Sequence, residues 1–282
     1  MYFLSHSSLR HDRYYPGEWG HLRCRHHFVH APEDFKRDSF DVVCKNFSPS
    51  FRFFFVERFG HSLKDWYAAK MKYTRSVAVS SIVGHILGIG DRHTNNILIS
   101  QITGEVVHID FGIVFEQGKL LAVPELVPFR LTRNIVDGLG PTGTEGTFAR
   151  AAEATAAELR ENSNALLTIL SAVASDPLYR FTVSPVEARR RQRLIDDDQA
   201  SVTTPAEKTK DGELLLAAVE SKSERNEAAA MVLAKIQEKL QGYEDGTSGE
   251  QQSIEGQVQL LINSARDPNN LSAMFGGWAS WV

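Results

Sequence analysis

The chain has 282 residues, 42% of them hydrophobic and 23% charged, a balance typical of globular proteins that excludes a wholly disordered or fibrous chain. The formal net charge of −4 disfavours overall nucleic-acid binding, and two cysteines are too few for a disulfide scaffold. Length alone suggests about two domains. Because no apolar run is long enough for a membrane span or a signal peptide, we expect an intracellular protein without a membrane span.

The first 35 residues hold six of the ten histidines, together with several arginines. We interpret residues 1–35 as a basic, His-rich connecting segment. Zinc binding is the alternative, since Cys24, His26, His27 and His30 are all good donors. No paired C-x-x-C motif accompanies them, so the connecting segment is the preferred interpretation.

Two helices are predicted ahead of the middle of the chain. Apolar residues recur at helical spacing over residues 35–47, where Pro49 ends the run, and again over residues 66–88. The phenylalanine-rich stretch 51–56 between them is dense enough to predict burial.

A β-hairpin is predicted next. The stretch GIGDRHTNNILIS at residues 88–100 indicates a loop that leads into a short strand at 96–99. Thr103 and Gly104 form a turn, and residues 105–109 predict the second strand. Because polar residues cluster at both outer ends, we expect this hairpin to present a functional site.

The rest of the chain is predicted to be largely helical. A loop over 111–129 precedes helices at 147–160 and 165–174, and further helices are expected at 213–240 and 254–265. Residues 189–212 have the composition of a linker. Its run of arginines from Arg189 could be a nuclear signal, but the three aspartates from Asp196 make a solvated mixed-charge loop equally compatible.

Three polar residues of the hairpin region suggest phosphoryl transfer. Asp91 and Asn96 have the D-x-x-x-x-N spacing of a kinase catalytic loop, and Asp110 opens a D-F-G triplet with Phe111 and Gly112. Carboxylate and amide oxygens suit Mg²⁺, and a further carboxylate can accept the proton of a substrate hydroxyl. Each residue alone is as compatible with a turn or a helix cap, so the hypothesis depends on their joint order and spacing.

The order of residues around Asp91 carries a family resemblance. The sequences GDRH, residues 90–93, and HIDFG, residues 108–112, resemble the phosphatidylinositol 3-kinase-related superfamily, which contains lipid kinases and large serine/threonine protein kinases. The resemblance implies that Asp91 is the catalytic aspartate and that Asn96 and Asp110 are metal ligands. It implies that His93 stabilises the transferring phosphate, with a structural hydrogen bond as the alternative; for His108, support of the loop is the expectation.

The segment after Asp110 distinguishes the two branches of that superfamily. Lipid kinases carry several basic residues there to hold an anionic headgroup, whereas residues 111–129 contain Lys119 alone, against Glu116 and Glu125. The segment ends in Pro128-Phe129-Arg130, which resembles the end of the activation loop in the protein-kinase branch. A peptide hydroxyl is therefore the expected acceptor, and a phosphoinositide kinase lobe is the alternative.

The C-terminal residues resemble the FATC tail of the large kinases. Phe275, Trp278 and Trp281 are costly to leave in water, which favours a tail docked on the domain, with a membrane-dipping tail as the alternative. The stretches 73–93 and 127–148 resemble the branch that contains the ataxia-telangiectasia mutated kinase and its fungal telomere-maintenance orthologues.

The resemblance implies an α+β, mostly α fold: a protein kinase-like C-terminal lobe of the PI3/PI4-kinase type with a small β-hairpin at the active site and a helical FATC tail. The lobe is assigned to 36–188, the linker to 189–212, a helical segment to 213–249 and the tail to 250–282. We find no glycine-rich phosphate loop and no strand with a phosphate-binding lysine, so the N-lobe is expected to be absent. The expectation is a fragment of a larger kinase or a truncated gene, inactive alone.

By the same resemblance the full enzyme uses ATP with Mg²⁺, or Mn²⁺ in its place, and phosphorylates protein substrates on Ser or Thr followed by Gln. Its implied partners are the rest of the large chain, with N-lobe and helical repeats, and indirectly DNA-end-binding complexes. Nuclear roles in the DNA-damage response and telomere maintenance are implied likewise. The alternative is a catalytically incompetent lobe that acts only as a binding module.

Overall fold

The computed structural model describes residues 2–3, 33–174, 229–245 and 249–282. Nine α-helices and three strands are formed within these ranges, numbered here in chain order. The helices are α1 (Glu33–Asn46), α2 (Arg52–Phe59), α3 (Leu63–Ile86), α4 (Arg133–Leu139), α5 (Thr147–Glu161), α6 (Ser163–Ala174), α7 (229–241), α8 (Ile254–Arg266) and α9 (Pro268–Ala273). The strands are β1 (Tyr2–Phe3), β2 (Ile97–Ile99) and β3 (Val106–His108).

The long central helix α3 organises the fold. Its N-terminus is capped by the Ser62 hydroxyl, which accepts a hydrogen bond from the Asp65 N–H at 3.3 Å, and Asp65 also complements the helix dipole. Tyr73 is fully buried halfway along α3, and its hydroxyl donates to the Ile135 carbonyl at 3.1 Å. Helices α2, α4 and α5 pack around α3, so the predicted helix over 66–88 is confirmed as the core of the lobe.

The phenylalanine-rich stretch forms α2, and burial follows its helical spacing. Phe51, Phe55 and Phe59 face the core, with Phe55 completely buried and its ring edge-on to that of Phe51. Phe53 and Val56 lie on the opposite face and are 50% and 55% exposed. The prediction that the whole stretch is buried was therefore wrong, because an eight-residue helix on the edge of the core presents one face only.

The predicted hairpin is confirmed and gains a third strand. β2 and β3 pair antiparallel, with Ile97 opposite His108 and Ile99 opposite Val106. β1 pairs antiparallel with the other edge of β2, which gives the sheet order β1-β2-β3. The sheet packs on α3, and its two outer loops lie where α3 ends.

The C-terminal segments close the lobe. Helix α7 ends just before Gly242, which has a φ of +92°, as is common for a glycine that follows a helix. Helix α8 begins at Ser253, whose hydroxyl accepts the Gly256 N–H at 3.0 Å, and packs its apolar face on α5. The predicted linker 189–212, the first part of the predicted helix 213–240 and the N-terminal Cys/His group lie outside the described residues.

Two glycines in helices give opposite expectations for stability. A Cβ added at Gly138 would lie 2.5 Å from the Phe51 ring and 2.9 Å from the Tyr73 ring, whereas one added at Gly84 would meet no described atom within 4 Å. The structure therefore places close helix packing at Gly138, in α4, a helix that sequence periodicity did not reveal.

We expect Gly138→Ala to lower the free energy of unfolding by about 1–2 kcal/mol, because the methyl group overpacks the core. Gly84→Ala should raise it by about 0.5–1 kcal/mol, because alanine loses less backbone entropy in a helix. Urea unfolding of both variants beside the parent protein measures the difference. Equal stability of the two variants would contradict the packing described here.

Candidate active site

The loop between α3 and β2 is tied to the segment that follows β3. The Gly90 N–H donates to the Ile113 carbonyl at 2.9 Å, and the Glu116 N–H donates to the Gly88 carbonyl at 3.1 Å. Gly88 has a φ of +59°, and a Cβ there would collide with the Glu116 main chain. A Cβ at Gly90 would lie 2.6 Å from a carboxylate oxygen of Glu125. The G-I-G triplet is therefore required by close approach of the two segments.

Arg92 lies at the centre of this arrangement and is only 3% exposed. Its Nε donates to the Gly90 carbonyl at 2.8 Å, and one terminal nitrogen donates to the Ile109 carbonyl at 2.7 Å. The other terminal nitrogen donates to the Asp110 carbonyl, and the guanidinium lies 5.5 Å from the Phe111 ring centroid. One side chain thus fixes the main chain on both sides of the site.

Asn96 connects the two predicted motifs. Its side-chain amide donates to the Asp91 carbonyl at 2.8 Å and approaches an Asp91 carboxylate oxygen at 3.4 Å. Its own main-chain carbonyl accepts the Ile109 N–H at 3.0 Å, next to Asp110. The structure therefore brings Asp91, Asn96 and Asp110 together at one end of the hairpin, as their spacing predicts.

Both aspartates adopt a left-handed backbone conformation, with φ of +56° at Asp91 and +57° at Asp110. Such a conformation is uncommon for residues other than glycine and clusters at functional sites, where the surroundings must hold it. The Asp91 N–H donates to a carboxylate oxygen of Glu125 at 2.8 Å. At Asp110, a carboxylate oxygen accepts the Gly112 N–H at 3.2 Å.

The electrostatic surroundings of Asp91 suit a proton acceptor. Burial raises the pKa of the Asp91 carboxyl, and the opposing effects of His93 and Arg92 do not cancel this increase. His93 Nε2 lies 3.8 Å from the carboxylate, while His93 Nδ1 accepts the Asn95 N–H at 3.1 Å. Because Nδ1 is an acceptor, a neutral His93 carries its proton on Nε2, the nitrogen that faces the site.

His108 has a different character. Burial, followed by the charge of Arg92, lowers the pKa of His108 to about 4, so its imidazole is neutral at physiological pH. Its main chain pairs with Ile97 in the hairpin. Both features fit the predicted role of support for the loop.

The donor set fits a divalent metal ion. Because the Asn96 amide nitrogen is used in hydrogen bonds to Asp91, its carbonyl oxygen remains for a ligand, and Asp110 supplies carboxylate oxygens. Among the described residues no group of three or more His, Cys, Asp or Glu side chains could enclose a metal. Two oxygen ligands without a protein cage are the arrangement by which Mg²⁺ is usually held together with substrate phosphates.

Charged residues of the segment after Asp110 are paired with other charges of the fold. Lys119 forms ion pairs with Glu116 at 2.5 Å and with Asp245 at 2.9 Å. Glu116 also pairs with Lys239 of α7, and Lys239 donates to the His85 carbonyl at 2.7 Å. Lys119 is therefore engaged within the fold.

A cleft of about 140 Å³ lies above this ion-pair network. The loop that contains Gly90, the segment from Glu116 to Pro128, the end of α7 and α8 line it. It adjoins the Asp91 loop directly.

The end of this segment holds the C-terminal tail. Arg130 donates to the main-chain oxygens of Trp278 at 2.6 Å, Ala279 at 2.8 Å and Val282 at 3.1 Å, and lies 4.3 Å from the Trp278 ring centroid. Burial lowers the pKa of Arg130 to about 9. Arg133 donates to the Trp281 carbonyl at 2.7 Å.

The tail packs on the lobe. Trp278 is 4% exposed, and Phe275 and Trp281 are partly buried. Of the other residues predicted in the activation loop, Phe129 is buried in the core, Pro128 lines the cleft and Phe111 is 49% exposed. In the described part of the chain, no helix has the length and apolarity to span a bilayer.

Sequence reasoning missed three residues of the site. Arg92 was noted only as part of the GDRH sequence, and Glu125 and Glu116 only as negative charges in a loop. Their contacts join positions 17 to 123 residues apart, which no periodic pattern encodes. The glycines at 88 and 90 were the one available signal, since they mark close approach of another segment.

Comparison with known proteins agrees with these features. A sequence model of the family "Phosphatidylinositol 3- and 4-kinase" matches residues 8–183, and a model of the FATC domain matches residues 251–282. The chain is 46% identical to the "Serine/threonine-protein kinase ATM" of Arabidopsis thaliana, covering 99% of this chain and 7% of that protein. It is 39% identical to the "Serine/threonine-protein kinase tel1" of Schizosaccharomyces pombe, covering 96% and 9%.

A solved structure shares the fold. The "FAT and kinase domain of CtTel1" superposes with a TM-score of 0.73 at 36% identity, covering 96% of this chain and 16% of that one. The predicted fold class is confirmed. The chain spans less than a tenth of the curated relatives described above, 7% and 9% of their lengths.

We expect Lys239→Met to lower the free energy of unfolding by about 3 kcal/mol, because Glu116 then loses a buried partner. Lys235→Met is the matched control on the same helix. Lys235 pairs with Asp245 at 2.6 Å but is 34% exposed, so its loss should cost less than about 1 kcal/mol. Chemical unfolding of both variants measures the free energy of unfolding. Equal decreases for the two variants would show that the buried Lys239 ion pair stabilises the fold no more than the exposed Lys235 pair.

Proposed function

The chain belongs to the phosphatidylinositol 3- and 4-kinase family and ends in a FATC domain, and from this premise we propose that it forms the catalytic lobe of a serine/threonine protein kinase. One observation carries the proposal. The Asn96 side-chain amide donates to the Asp91 carbonyl, and the Asn96 main-chain carbonyl accepts the N–H of Ile109, the residue before Asp110. The proposed proton acceptor, Asp91, and the proposed metal ligands, Asn96 and Asp110, therefore share one rigid end of the hairpin.

In this proposal Asp91 accepts the proton of the substrate hydroxyl as the γ-phosphate of ATP is transferred. Its raised pKa brings the carboxylate closer to the operating pH, which favours general base catalysis. His93 donates from Nε2 to the transferring phosphate, because its Nδ1 is held as an acceptor by the Asn95 N–H. Positioning and charge stabilisation account for most of the catalysis of phosphoryl transfer, so a rigid loop suits the reaction.

Asn96 and Asp110 would hold the divalent cation, Mg²⁺ or Mn²⁺, which neutralises the phosphates of ATP when bound. Residues of the chain itself position these ligands and the proposed base. Arg92 keeps the two loops at a fixed separation, and both Asp91 and Asp110 are held in a left-handed backbone conformation.

The acceptor is proposed to be a protein Ser or Thr, with glutamine in the following position by analogy with the relatives. Within 111–129 the only base is Lys119, and its ammonium is already paired with Glu116 and Asp245. An anionic lipid headgroup would therefore meet no free cation from this segment. This favours a peptide over the phosphoinositide alternative.

The whole protein is proposed to act in the nucleus, in the DNA-damage response and telomere maintenance, with DNA-end-binding complexes as indirect partners. The names of the relatives, ATM and tel1, support this proposal. The domain boundaries predicted from the sequence stay predictions, as do the roles of individual site residues.

The proposal is tested on the full-length product of the gene that encodes this chain, with a Ser-Gln peptide, radiolabelled ATP and Mg²⁺. Asp91→Asn should lower kcat at least about 100-fold, because the general base is lost, while nucleotide binding remains. The 282-residue chain by itself should give no transfer, because the N-lobe elements that cover the nucleotide are absent from its sequence.

A parallel assay uses phosphatidylinositol vesicles instead of the peptide. Transfer to the vesicles and not to the peptide would contradict a protein substrate. Activity that is unchanged by Asp91→Asn would contradict the assigned base. Failure to bind Mg²⁺-ATP would favour the non-catalytic binding module instead.

A further inference from the structure

Glu125 is a partly buried residue whose carboxylate lies at the contact between the two loops of the site. Its Oε1 accepts the Asp91 N–H at 2.8 Å, and its own N–H donates to the Gly118 carbonyl at 3.0 Å. The other carboxylate oxygen fills the space between Gly90 and Gly118, where a Cβ on either glycine would collide with it. The absence of side chains at positions 90 and 118 thus creates the place that Glu125 occupies.

The hydrogen bond from Asp91 is needed because of the backbone conformation there. A left-handed aspartate is sparsely populated in the absence of other constraints, and its N–H points away from any helix or sheet. In the part of the chain that the structure describes, Glu125 is the acceptor of this N–H. Loss of that acceptor would leave a donor unsatisfied and would release the main chain at the proposed base.

The C-terminal tail lies next to the same loop. Arg130 donates to the Trp278 carbonyl at 2.6 Å and to the Arg92 carbonyl at 3.4 Å. One guanidinium therefore joins the tail to the residue that follows Asp91.

We propose that Glu125 is the positioning residue that holds Asp91 in its catalytic conformation. The proposal rests on the function proposed above. Glu125 touches the main chain of Asp91 and not the reacting atoms, so its substitution should change kcat more than the binding of either substrate.

The test compares three variants of the protein produced from its own gene, with the Ser-Gln peptide as substrate. Glu125→Ala should lower kcat about 100-fold, because displacement of the base by about 1 Å has an effect of that size, while both KM values stay near those of the parent. Glu125→Gln keeps a carbonyl acceptor in the same place and should stay within about fivefold of the parent. The exposed Glu145→Ala is the matched control and should equal the parent.

Binding stoichiometry of a non-hydrolysable ATP analogue is measured for every variant, to separate folding from catalysis. If Glu125→Ala loses binding, Glu125→Met replaces it, since it fills the volume without an acceptor. Equal losses for Glu125→Ala and Glu125→Gln would overturn the proposal, as would a raised KM with unchanged kcat. If the parent itself transfers no more phosphate than Asp91→Asn, the proposed function fails, whatever Glu125 does.

Discussion

The buried guanidinium of Arg92 is the interaction on which the site depends. Loops at the ends of two short strands leave main-chain oxygens that neither a helix nor the sheet can satisfy, and burying such groups without hydrogen bonds is costly. Arginine can satisfy several at once, because its planar group presents five donors in a fixed arrangement. Here it binds the carbonyls of Gly90, Ile109 and Asp110. The charge is tolerated because Asp91, Asp110 and Glu125 lie nearby.

The same principle holds the C-terminal tail. Arg130 and Arg133, at the end of the segment that follows Asp110, donate to main-chain oxygens of the last five residues. These bonds depend on the path of the tail more than on its side chains, apart from the ring of Trp278 that stacks on Arg130. A tail fixed in this way is held next to the Asp91 loop, because Arg130 also donates to the Arg92 carbonyl.

Local patterns in the sequence predicted those features that depend on local chemistry. Helical periodicity located α3, two short strands around a turn located the hairpin, and residue type with spacing located Asp91, Asn96 and Asp110. The features that were not predicted depend on contacts between residues far apart in the sequence. Glu125 lies 34 residues beyond Asp91, and Lys239 lies 123 residues beyond Glu116. Helix α4 has seven residues and includes a glycine, too little for a periodic signal, and the exposed Phe53 shows that hydrophobic density does not reveal which face is buried.

The central claim is that Arg92 holds both loops in place, and hydrogen–deuterium exchange in an Arg92→Lys variant tests it most directly. Lysine keeps the charge but cannot reach three carbonyls in different directions. We predict that peptides covering residues 88–96 and 109–116 lose protection together, while α3 and the C-terminal tail keep theirs. Unchanged exchange in both loops, or a uniform loss across the whole lobe, would contradict the claim.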